Sequence, residues 1–284
     1  MHCLTMELRF TKMHGLGNDF AVIEAPAAGN PPGAEDIRRL ASRRTGIGFD
    51  QMLWIEPPRR PGTTVYYRIF NADGEEVEQC GNGARCIAQL LHSNRRVNRK
   101  PDDILLLDSA GGIVQAKICA GGDVSVDMGV PHFAPADIPF EATTEAYVYT
   151  IDAAGSTLEI GAVSIGNPHA VLTVPAVESA PVDRLGPALE QHPRFPRRTN
   201  VEFMEIVDPR HIRLRVYERG TGETRACGTG ACAAVAVGRR HGVLDEEVVV
   251  DLPGGRLTVH WPGMDESIWM TGPAETSFEG TVQI

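Results

Sequence analysis

The amino-acid sequence predicts an α+β fold built from two similar domains, and three observations lead to this prediction. The chain has 284 residues, which is enough for two modest hydrophobic cores. Segments with the composition of β-strands outnumber segments with helical periodicity. A set of short motifs in the first half of the chain recurs in the same order in the second half.

The predicted strands are rich in β-branched and aromatic residues and are separated by Gly, Pro, Asn and Asp. They cover residues 8–12, 21–23, 52–55, 65–70, 104–107, 113–119, 124–128, 147–151, 157–163, 170–174, 201–206, 211–217, 248–251, 257–261 and 267–271. Helices are predicted at 34–44, 83–94, 182–191 and 230–241. Residues 131–139 have the Pro content of a connector between the two halves.

The repeated motifs identify the two halves as copies of one design. Cys-Gly-Asn-Gly-Ala at 80–84 is matched by Cys-Gly-Thr-Gly-Ala at 227–231, 147 residues later. Three further pairs follow at offsets of 149, 149 and 147 residues, namely Gly17-Asn18 with Gly166-Asn167, Asp50-Gln51 with Thr199-Asn200, and Phe70-Asn71 with Tyr217-Glu218. We therefore expect a pseudo-twofold pair of domains with a cleft between them that both cysteines face.

The expected domain boundaries follow from the same repeat. The first domain is predicted to cover residues 1–129, and the C-terminal tail 273–284 is predicted to pack back on it. The second domain is predicted to cover residues 130–272.

The composition argues against several classes of protein. The chain has 27 Lys and Arg against 37 Asp and Glu, a net charge of −10, so we expect no nucleic-acid or anionic-membrane partner. No apolar run approaches the ~20 residues of a membrane span. The N-terminus shows no export signal, and six cysteines without such a signal are predicted to be thiols. We expect a cytoplasmic protein.

A Cys-Gly-x-Gly turn that opens a helix can bind a carboxylate. The first turn of a helix leaves backbone N–H groups unpaired, the helix dipole makes this end positive, and glycine lets an anion approach closely. The amides predicted to bind the carboxylate are those of Gly81, Asn82, Gly228 and Thr229. The same field is expected to lower the pKa of the preceding thiols, Cys80 and Cys227.

Two thiols on opposite sides of one ligand suit the inversion of a carbon stereocentre. One thiolate removes the α-proton of an amino acid while the opposite thiol delivers a proton to the other face. Helix N-termini aimed at the carboxylate can stabilise the charge that develops there, without a metal or pyridoxal. Cys80 and Cys227 are therefore the candidate acid/base pair.

The sequence resembles the diaminopimelate epimerase family, a group of cofactor-independent amino-acid epimerases. The matching segments span most of both halves and lie at residues 12–20, 70–86, 164–170, 195–203 and 217–233. The resemblance implies that each domain is a curved, mostly antiparallel sheet around a central helix, with the active site in the cleft between the domains. It implies a homodimer that interconverts LL- and meso-2,6-diaminopimelate, with no cofactor and no metal.

The resemblance also implies roles for individual residues. Cys80 and Cys227 match the acid/base groups, and we expect Cys80 to deprotonate the LL isomer and Cys227 the meso isomer. His169 and Glu218 match residues that influence the protonation of the thiols. The positions that match substrate contacts are Asn18, Gln51, Asn71, Asn167, Asn200, Glu218 and Arg219. Arg219 can bind the distal carboxylate as a fork, and Glu218 can accept from the distal ammonium.

Other readings of the same residues remain open at this point. Cys80, Cys86, Cys227 and Cys232 could form a zinc site, although their spacings are awkward for tetrahedral coordination. Cys80 and Cys227 could form a regulatory disulfide. Residues 228–233 fit a dinucleotide fingerprint, but the strand-rich halves lack a βαβ run. Two other functions remain open: that of a proline racemase or hydroxyproline epimerase, and that of a thiol redox module.

The remaining cysteines have plainer interpretations. Cys86 and Cys232 lie within the predicted helices and are expected to be packing residues. Cys3 and Cys119 match no motif and are expected to be structural.

Overall fold

The computed structural model describes residues 7–26, 29–77, 80–94 and 103–284. Cys3, for which the sequence predicts a structural role, lies outside these residues. The chain divides into two compact units, one comprising Met1–Val126 with Gly272–Ile284 and the other comprising Asp127–Thr271.

The first unit is a mixed sheet with two helices. Its strands are β1 (Glu7–Gly15), β2 (Asn18–Glu24), β3 (Gln51–Glu56), β4 (Val65–Asn71), β5 (Glu76–Val77), β6 (Leu105–Ser109), β7 (Gly112–Ile118), β8 (Val124–Asp127) and β18 (Glu275–Gln283). Its helices are α1 (Ala34–Ala41) and α2 (Gly81–Ser93). β1 pairs with β2 and β18, β3 with β4, β4 with β5, β6 with β7 and β7 with β8, all antiparallel. The pairs β2–β3 and β4–β6 are parallel.

The second unit repeats this arrangement. Its strands are β9 (Tyr149–Ala153), β10 (Ser156–Ser164), β11 (Pro168–Thr173), β12 (Asn200–Asp208), β13 (His211–Glu218), β14 (Gly222–Thr224), β15 (Glu247–Leu252), β16 (Gly255–His260) and β17 (Trp269–Gly272). Its helices are α3 (Val182–Glu190) and α4 (Gly228–Arg240), with a 3-10 turn at Val177–Ser179. The pairs β11–β12 and β13–β15 are parallel, as β2–β3 and β4–β6 are in the first unit.

The register of the strands shows that the duplication is structural. In the first unit Phe20 of β2 lies beside Gln51 of β3, and in the second unit His169 of β11 lies beside Asn200 of β12. Each residue of the second pair lies 149 positions after its counterpart. The antiparallel pair Ile69 and Val77 is likewise repeated, 147 positions later, as Val216 and Thr224. The repeat read from the sequence is therefore confirmed strand by strand.

The central helices occupy equivalent places in the two units. α2 packs on β1, β2, β6 and β7, and α4 packs on β10, β11, β12 and β16. Ten of the thirteen residues of α4 are buried, because its Ala- and Gly-rich sequence lets strands approach it on most of its surface. The predicted α+β class, with a sheet around one central helix in each half, is confirmed.

Several details differ from the sequence prediction. Both central helices begin two residues earlier than expected, at Gly81 and Gly228, because a cysteine side chain caps each of them. The tail forms β18, which pairs along β1 from Gln283 to Glu275 and was not predicted as a strand. Each half also contains two parallel crossovers, one through α1 or α3 and one through the central helix, so the expectation that the halves lack a βαβ run is wrong. The short strands β5 and β14 interrupt only the crossovers through the central helices.

Each unit has its own apolar core. In the first unit α1 contributes Ile37 and Leu40 to a cluster that includes Trp54 and Phe49. In the second unit α3 contributes Leu185 and Leu189 to a cluster around Phe195 and Phe203. Within the described residues, no helix combines the length and the apolar character that crossing a membrane requires.

Candidate active site

Each candidate thiol is the residue that caps a central helix. Cys80 precedes α2 with an extended backbone, φ −152°, and its Sγ accepts a hydrogen bond from the amide of Gly83 at 3.4 Å. Cys227 precedes α4 with φ −118°, and its Sγ accepts from the amide of Gly230, also at 3.4 Å. The sulfur therefore takes the role that a Ser or Asp oxygen has in an ordinary N-cap.

The second glycine of each motif lies in a closely packed place rather than in a turn. A Cβ on Gly83 would lie 3.1 Å from Cδ2 of Leu53, and a Cβ on Gly230 would lie 3.0 Å from Oε1 of Glu202. The first amides of each helix, at Gly81 and Asn82 or at Gly228 and Thr229, have no acceptor in the helix itself. A carboxylate can bind there, as the sequence predicts.

In the first unit the predicted substrate-binding amides form two hydrogen-bonded pairs. Asn82 Nδ2 donates to Asn18 Oδ1 at 3.1 Å, and Asn18 Nδ2 donates to Asp50 Oδ2 at 3.1 Å. Gln51 Nε2 donates to Asn71 Oδ1 at 2.9 Å. The structure thus brings Asn82 to Asn18, and Gln51 to Asn71, as pairs on neighbouring elements.

Two oxygen atoms of these amides lack hydrogen-bond partners. Oε1 of Gln51 and Oδ1 of Asn82 are buried, and neither has a donor among the residues the structure describes. A buried acceptor without a donor is costly, so these oxygens are suited to receive N–H groups of a ligand. An ammonium group supplies such donors.

A charged cluster that sequence reasoning missed supports these amides. Arg43 donates to both carboxylate oxygens of Asp19 at 2.8 Å and to Asp50 at 2.7 Å, and Lys12 donates to Asp19 and to the carbonyl of Gly48. Burial raises the pKa of Asp19, but the hydrogen bonds from Arg43 and Lys12 outweigh it and hold the pKa well below its usual range. The cluster fixes Asp50 beside Asn18.

In the second unit the loop after β13 is held by Asn200. Its Oδ1 accepts from the backbone amide of Arg219 at 2.9 Å, and its Nδ2 donates to the carbonyl of Pro168 at 3.3 Å. The Arg219 guanidinium is exposed and donates to the carbonyl of Arg197 at 3.2 Å. Glu218 accepts from the Thr224 hydroxyl of β14. Asn200 therefore holds the backbone at Arg219, and Thr224 holds the Glu218 carboxylate.

His169 and Asn167 form a connected group with a residue that the sequence analysis did not single out. His169 Nδ1 lies 2.7 Å from Glu202 Oε1, and its Nε2 lies 2.9 Å from Asn167 Oδ1. Glu202 follows Val201 and precedes Phe203 in β12, and all three side chains are buried. An acidic residue between two core residues of a strand is the signal that could have identified it.

The prediction that the pKa of Cys227 is lowered is wrong. Burial raises the pKa of the Cys227 thiol well above its ordinary value, and the carboxylates of Glu218 and Glu202 raise it further. Hydrogen bonds from Thr229 and from the Gly230 amide oppose this rise without reversing it. The helix N-terminus is thus outweighed at this thiol by desolvation and by two acidic neighbours.

The other described cysteines are thiols with different surroundings. Cys86 and Cys232 are buried inside α2 and α4, as packing residues are, and Cys119 is partly exposed. Burial raises the pKa of Cys86 to about 12, which keeps it protonated. Among the described residues, no group of three or more His, Cys, Asp or Glu side chains is arranged to hold a metal ion.

Comparison with solved structures identifies the fold. A hydroxyproline epimerase from Agrobacterium vitis has a TM-score of 0.70 and 16% identity, over 98% of this chain and 93% of that chain. A phenazine biosynthesis protein of the PhzF family from Bacillus anthracis has a TM-score of 0.69 and 17% identity, over 98% of this chain and all of that one. At such low identity the likeness shows the fold alone. The chain has the duplicated α+β fold that these proteins share.

Sequence comparison then identifies the family. A sequence model described as diaminopimelate epimerase matches residues 10–134 and 161–277. The diaminopimelate epimerase of Alkalilimnicola ehrlichii is 53% identical over 98% of this chain and 100% of its own length. That of Thioalkalivibrio sulfidiphilus is 54% identical with the same coverage. The chain therefore belongs to the diaminopimelate epimerase family, a family of isomerases, and the resemblance read from the sequence is confirmed.

Proposed function

We propose that the protein interconverts LL- and meso-2,6-diaminopimelate by transferring protons at one α-carbon between Cys80 and Cys227. The observation that supports this proposal most directly is the repeated geometry of the two thiols. Each caps the central helix of a duplicated unit and accepts a hydrogen bond from the third residue of that helix. Matched groups are what a reversible inversion needs, since each must act as base in one direction and as acid in the other.

The proton steps follow from this pairing. One cysteine, as thiolate, takes the α-hydrogen and becomes a thiol, while the other cysteine, as thiol, gives its proton to the opposite face and becomes a thiolate. The electron pair left on the α-carbon in between delocalises into the carboxylate. The amides of Gly81, Asn82, Gly228 and Thr229 stabilise that charge at the positive ends of α2 and α4.

The remaining substrate-binding residues suit the two ends of a diaminopimelate. Gln51 and Asn82 offer the buried acceptors described above. Asn71 and Asn18 are hydrogen-bonded to them in the first unit, and Asn167 adds an amide from the second unit. Arg219 can bind a distal carboxylate through two N–H groups, and Glu218 can accept from a distal ammonium. A ligand without these distal groups would leave the Arg219 guanidinium and the Glu218 carboxylate with no ligand group to bind, which is a basis for rejecting it.

The protonation of the two thiols is also part of the proposal. Glu218 and Glu202 raise the pKa of Cys227, which favours this residue as the acid in the resting enzyme. We propose that His169 and Glu218 both influence the protonation of the thiols, with Glu218 acting at Cys227. We propose that Cys80 deprotonates the LL isomer and Cys227 the meso isomer.

The setting of the reaction is proposed on the same grounds. We propose that residues 1–129 with 273–284 form one epimerase domain and residues 130–272 the other, that the enzyme works without pyridoxal or metal, and that it acts as a homodimer in the cytoplasm. The family resemblance supports these statements. Light scattering after gel filtration tests the dimer, which should have twice the 30.7 kDa chain mass.

Exchange of the α-hydrogen in heavy water tests the proposed function. The protein is incubated in heavy water with a chelator and without pyridoxal, and LL-diaminopimelate and L-proline are offered separately. We expect deuterium at the α-carbon and formation of the meso isomer from diaminopimelate, and no exchange from proline. Exchange with proline alone would instead indicate a proline racemase, and exchange with neither would refute the proposal.

A further inference from the structure

A buried chain of polar side chains lies beneath the start of α4. His169 and Glu202 have no exposed side-chain surface, and Nδ1 of His169 lies 2.7 Å from Oε1 of Glu202. Nε2 of His169 lies 2.9 Å from Oδ1 of Asn167, which is a proposed substrate-binding amide. The second Glu202 oxygen, Oε2, is buried and has no hydrogen-bond partner in the described part of the chain.

The hydrogen bonds among Asn167, His169 and Glu202 determine how many protons these three side chains share. When Nε2–H donates to the Asn167 oxygen, the contact between Nδ1 and Glu202 requires one more proton, which either partner can carry. Burial raises the pKa of Glu202 and the neighbouring His169 opposes that rise, which is consistent with a shared proton. The pair then has no net charge, and when His169 carries the proton the negative charge lies on Glu202, next to the Cys227 thiol.

The Glu202 carboxylate lies close to the Cys227 thiol. A Cβ on Gly230 would be 3.0 Å from Glu202 Oε1 and 3.3 Å from Cys227 Sγ, so both atoms border the same small space. The Gly230 amide donates to the same sulfur. The titratable groups that face Glu202 are His169 from β11, Glu218 from β13 and Cys227 from the start of α4.

The first unit provides an internal comparison. The strand register matches Phe20 to His169, and it matches Leu53 to Glu202, since Leu53 lies beside Val22 as Glu202 lies beside Val171. Leu53 contacts the site of Gly83 as Glu202 contacts that of Gly230. The same fold thus uses two apolar residues where the second unit buries a charged pair. Because burying ionised groups costs several kcal/mol before pairing compensates it, the pair is not needed merely to fill the space.

We propose that Glu202 is a positioning residue for the reaction, which holds His169 and Asn167 in place and sets the charge beside the Cys227 thiol. This inference rests on the proposed function. Glu202 does not touch the substrate in this account. It orients the Asn167 amide through His169, so that the Asn167 NH2 group is left to donate to the ligand, and it keeps a proton on Cys227 by placing negative charge near the sulfur.

Thiol reactivity tests the inference without measuring turnover. In Glu202→Gln the side chain keeps its shape and loses its charge, so the pKa of Cys227 should fall. We expect iodoacetamide to alkylate Cys227 about threefold faster or more at pH 7.5, as resolved by peptide mass spectrometry. Cys80 in the same molecules is the control, and its alkylation rate should not change. An unchanged Cys227 rate would overturn the electrostatic part of the proposal.

Kinetics test the positioning part. Glu202→Gln should lower kcat/KM for diaminopimelate by about 10- to 100-fold, because the Asn167 amide loses its fixed orientation. The matched control is Asp251→Asn, which breaks a second His–carboxylate pair, His211 Nε2 with Asp251 Oδ2 at 2.7 Å, away from the proposed site. That variant should keep wild-type kinetics. Wild-type kcat/KM in Glu202→Gln would contradict the proposal.

A double variant separates positioning from folding. His169→Phe with Glu202→Leu copies the pair found in the first unit, so it should fold with near wild-type circular dichroism while losing activity. If both this variant and Glu202→Gln fail to fold, the pair is structural and the inference is refuted. If the wild-type protein does not act on diaminopimelate but the Cys227 alkylation rate still responds to Glu202→Gln, the proposed function fails while the electrostatic link stands.

Discussion

At the scale of single residues, the most informative feature is that a cysteine caps each central helix. Cysteine is an unusual N-cap, because sulfur accepts hydrogen bonds weakly and Ser, Thr, Asp or Asn would stabilise the helix better. Both Cys80 and Cys227 nevertheless occupy this position. The choice of a weaker capping residue at two equivalent places is explained if the thiol itself is needed.

Removal of either thiol should therefore abolish turnover. We expect Cys80→Ala and Cys227→Ala each to lower kcat for diaminopimelate by at least about 10²- to 10⁴-fold, because each removes one partner of the proton transfer. Cys86→Ala is the matched control, since Cys86 is buried one turn further along α2 and the equivalent position of α4 is Ala233. Near-normal turnover in either thiol variant would contradict the two-base mechanism.

The sequence identified the residue types of the site but not its electrostatics. The repeat and the family resemblance pointed to Cys80 and Cys227, and the structure places both at helix starts. The pKa direction of Cys227 was predicted wrongly, since a sequence shows the helix that follows a thiol but not the burial or the carboxylates packed against it. Glu202 and Asp19 were missed for the same reason, because their partners are distant in the chain.

At the scale of elements, close packing between a strand and the first turn of a helix defines each half-site. Glu202 of β12 packs against Gly230 of α4, as Leu53 of β3 packs against Gly83 of α2. These contacts explain why the motif has a glycine three residues after the cysteine. Two of the 30 glycines of the chain, Gly83 and Gly230, thus lie where a side chain would meet close neighbours.

A methyl group at this contact should disturb both packing and chemistry. In Gly230→Ala the new Cβ would lie 3.0 Å from Glu202 Oε1 and 3.3 Å from Cys227 Sγ. We expect a destabilisation of about 1–3 kcal/mol in urea unfolding and a fall in kcat/KM of at least about tenfold. Gly33→Ala is the control, because a Cβ there meets nothing within 4 Å. Equal effects of the two variants would show that the contact is unimportant.

The charged cluster that joins β1, β2 and the segment after α1 makes stability depend on pH. The pKa of Asp19 is held below its usual range, so its contribution to stability is present above about pH 4 and is lost as the pH falls through the folded-state pKa. Asp19→Asn should cost about 1–3 kcal/mol at pH 7, and the difference from wild type should narrow below about pH 4. Urea unfolding at pH 7 and pH 3 measures both values.

The control for this prediction is an exposed ion pair in the same unit. Asp36 pairs with Arg39 on α1, and both side chains are about half exposed. Asp36→Asn should change the free energy of unfolding by little at either pH, because solvent screens such pairs. A loss in Asp36→Asn as large as in Asp19→Asn would show that burial does not distinguish the two aspartates.

Element boundaries were predicted well where local composition determines them and poorly where distant pairing does. The strands and the four helices were found within a few residues. β5 and β14 are too short to show a period, and β18 was missed because its residues are mostly exposed and it is stabilised by pairing with β1 at the other end of the chain. The predicted strand, helix and strand at 21–23, 34–44 and 52–55 already had the order of a parallel crossover, but the pairing of the two strands depends on contacts that a local pattern does not show.

At the scale of the whole molecule, the chain consists of two copies of one unit that have diverged at a few chemical positions. The register of strands and the caps of the central helices are shared. His169, Glu202 and Glu218 occupy the places of Phe20, Leu53 and Asn71. The first unit therefore presents its thiol above apolar residues, and the second presents its thiol beside acidic ones. The two matched thiols therefore have different neighbouring side chains, and the acidic ones raise the pKa of Cys227.

We propose that two different thiols of one chain exchange protons with a single α-carbon. The most direct measurement is the early reaction of LL-diaminopimelate in heavy water, with product and recovered substrate analysed separately for deuterium. We predict one deuterium at the inverted carbon of the product and almost none in the recovered substrate, because the proton removed by one cysteine is not the one delivered by the other. Meso product that retains the original hydrogen would contradict the account, since a single base would then have carried it across.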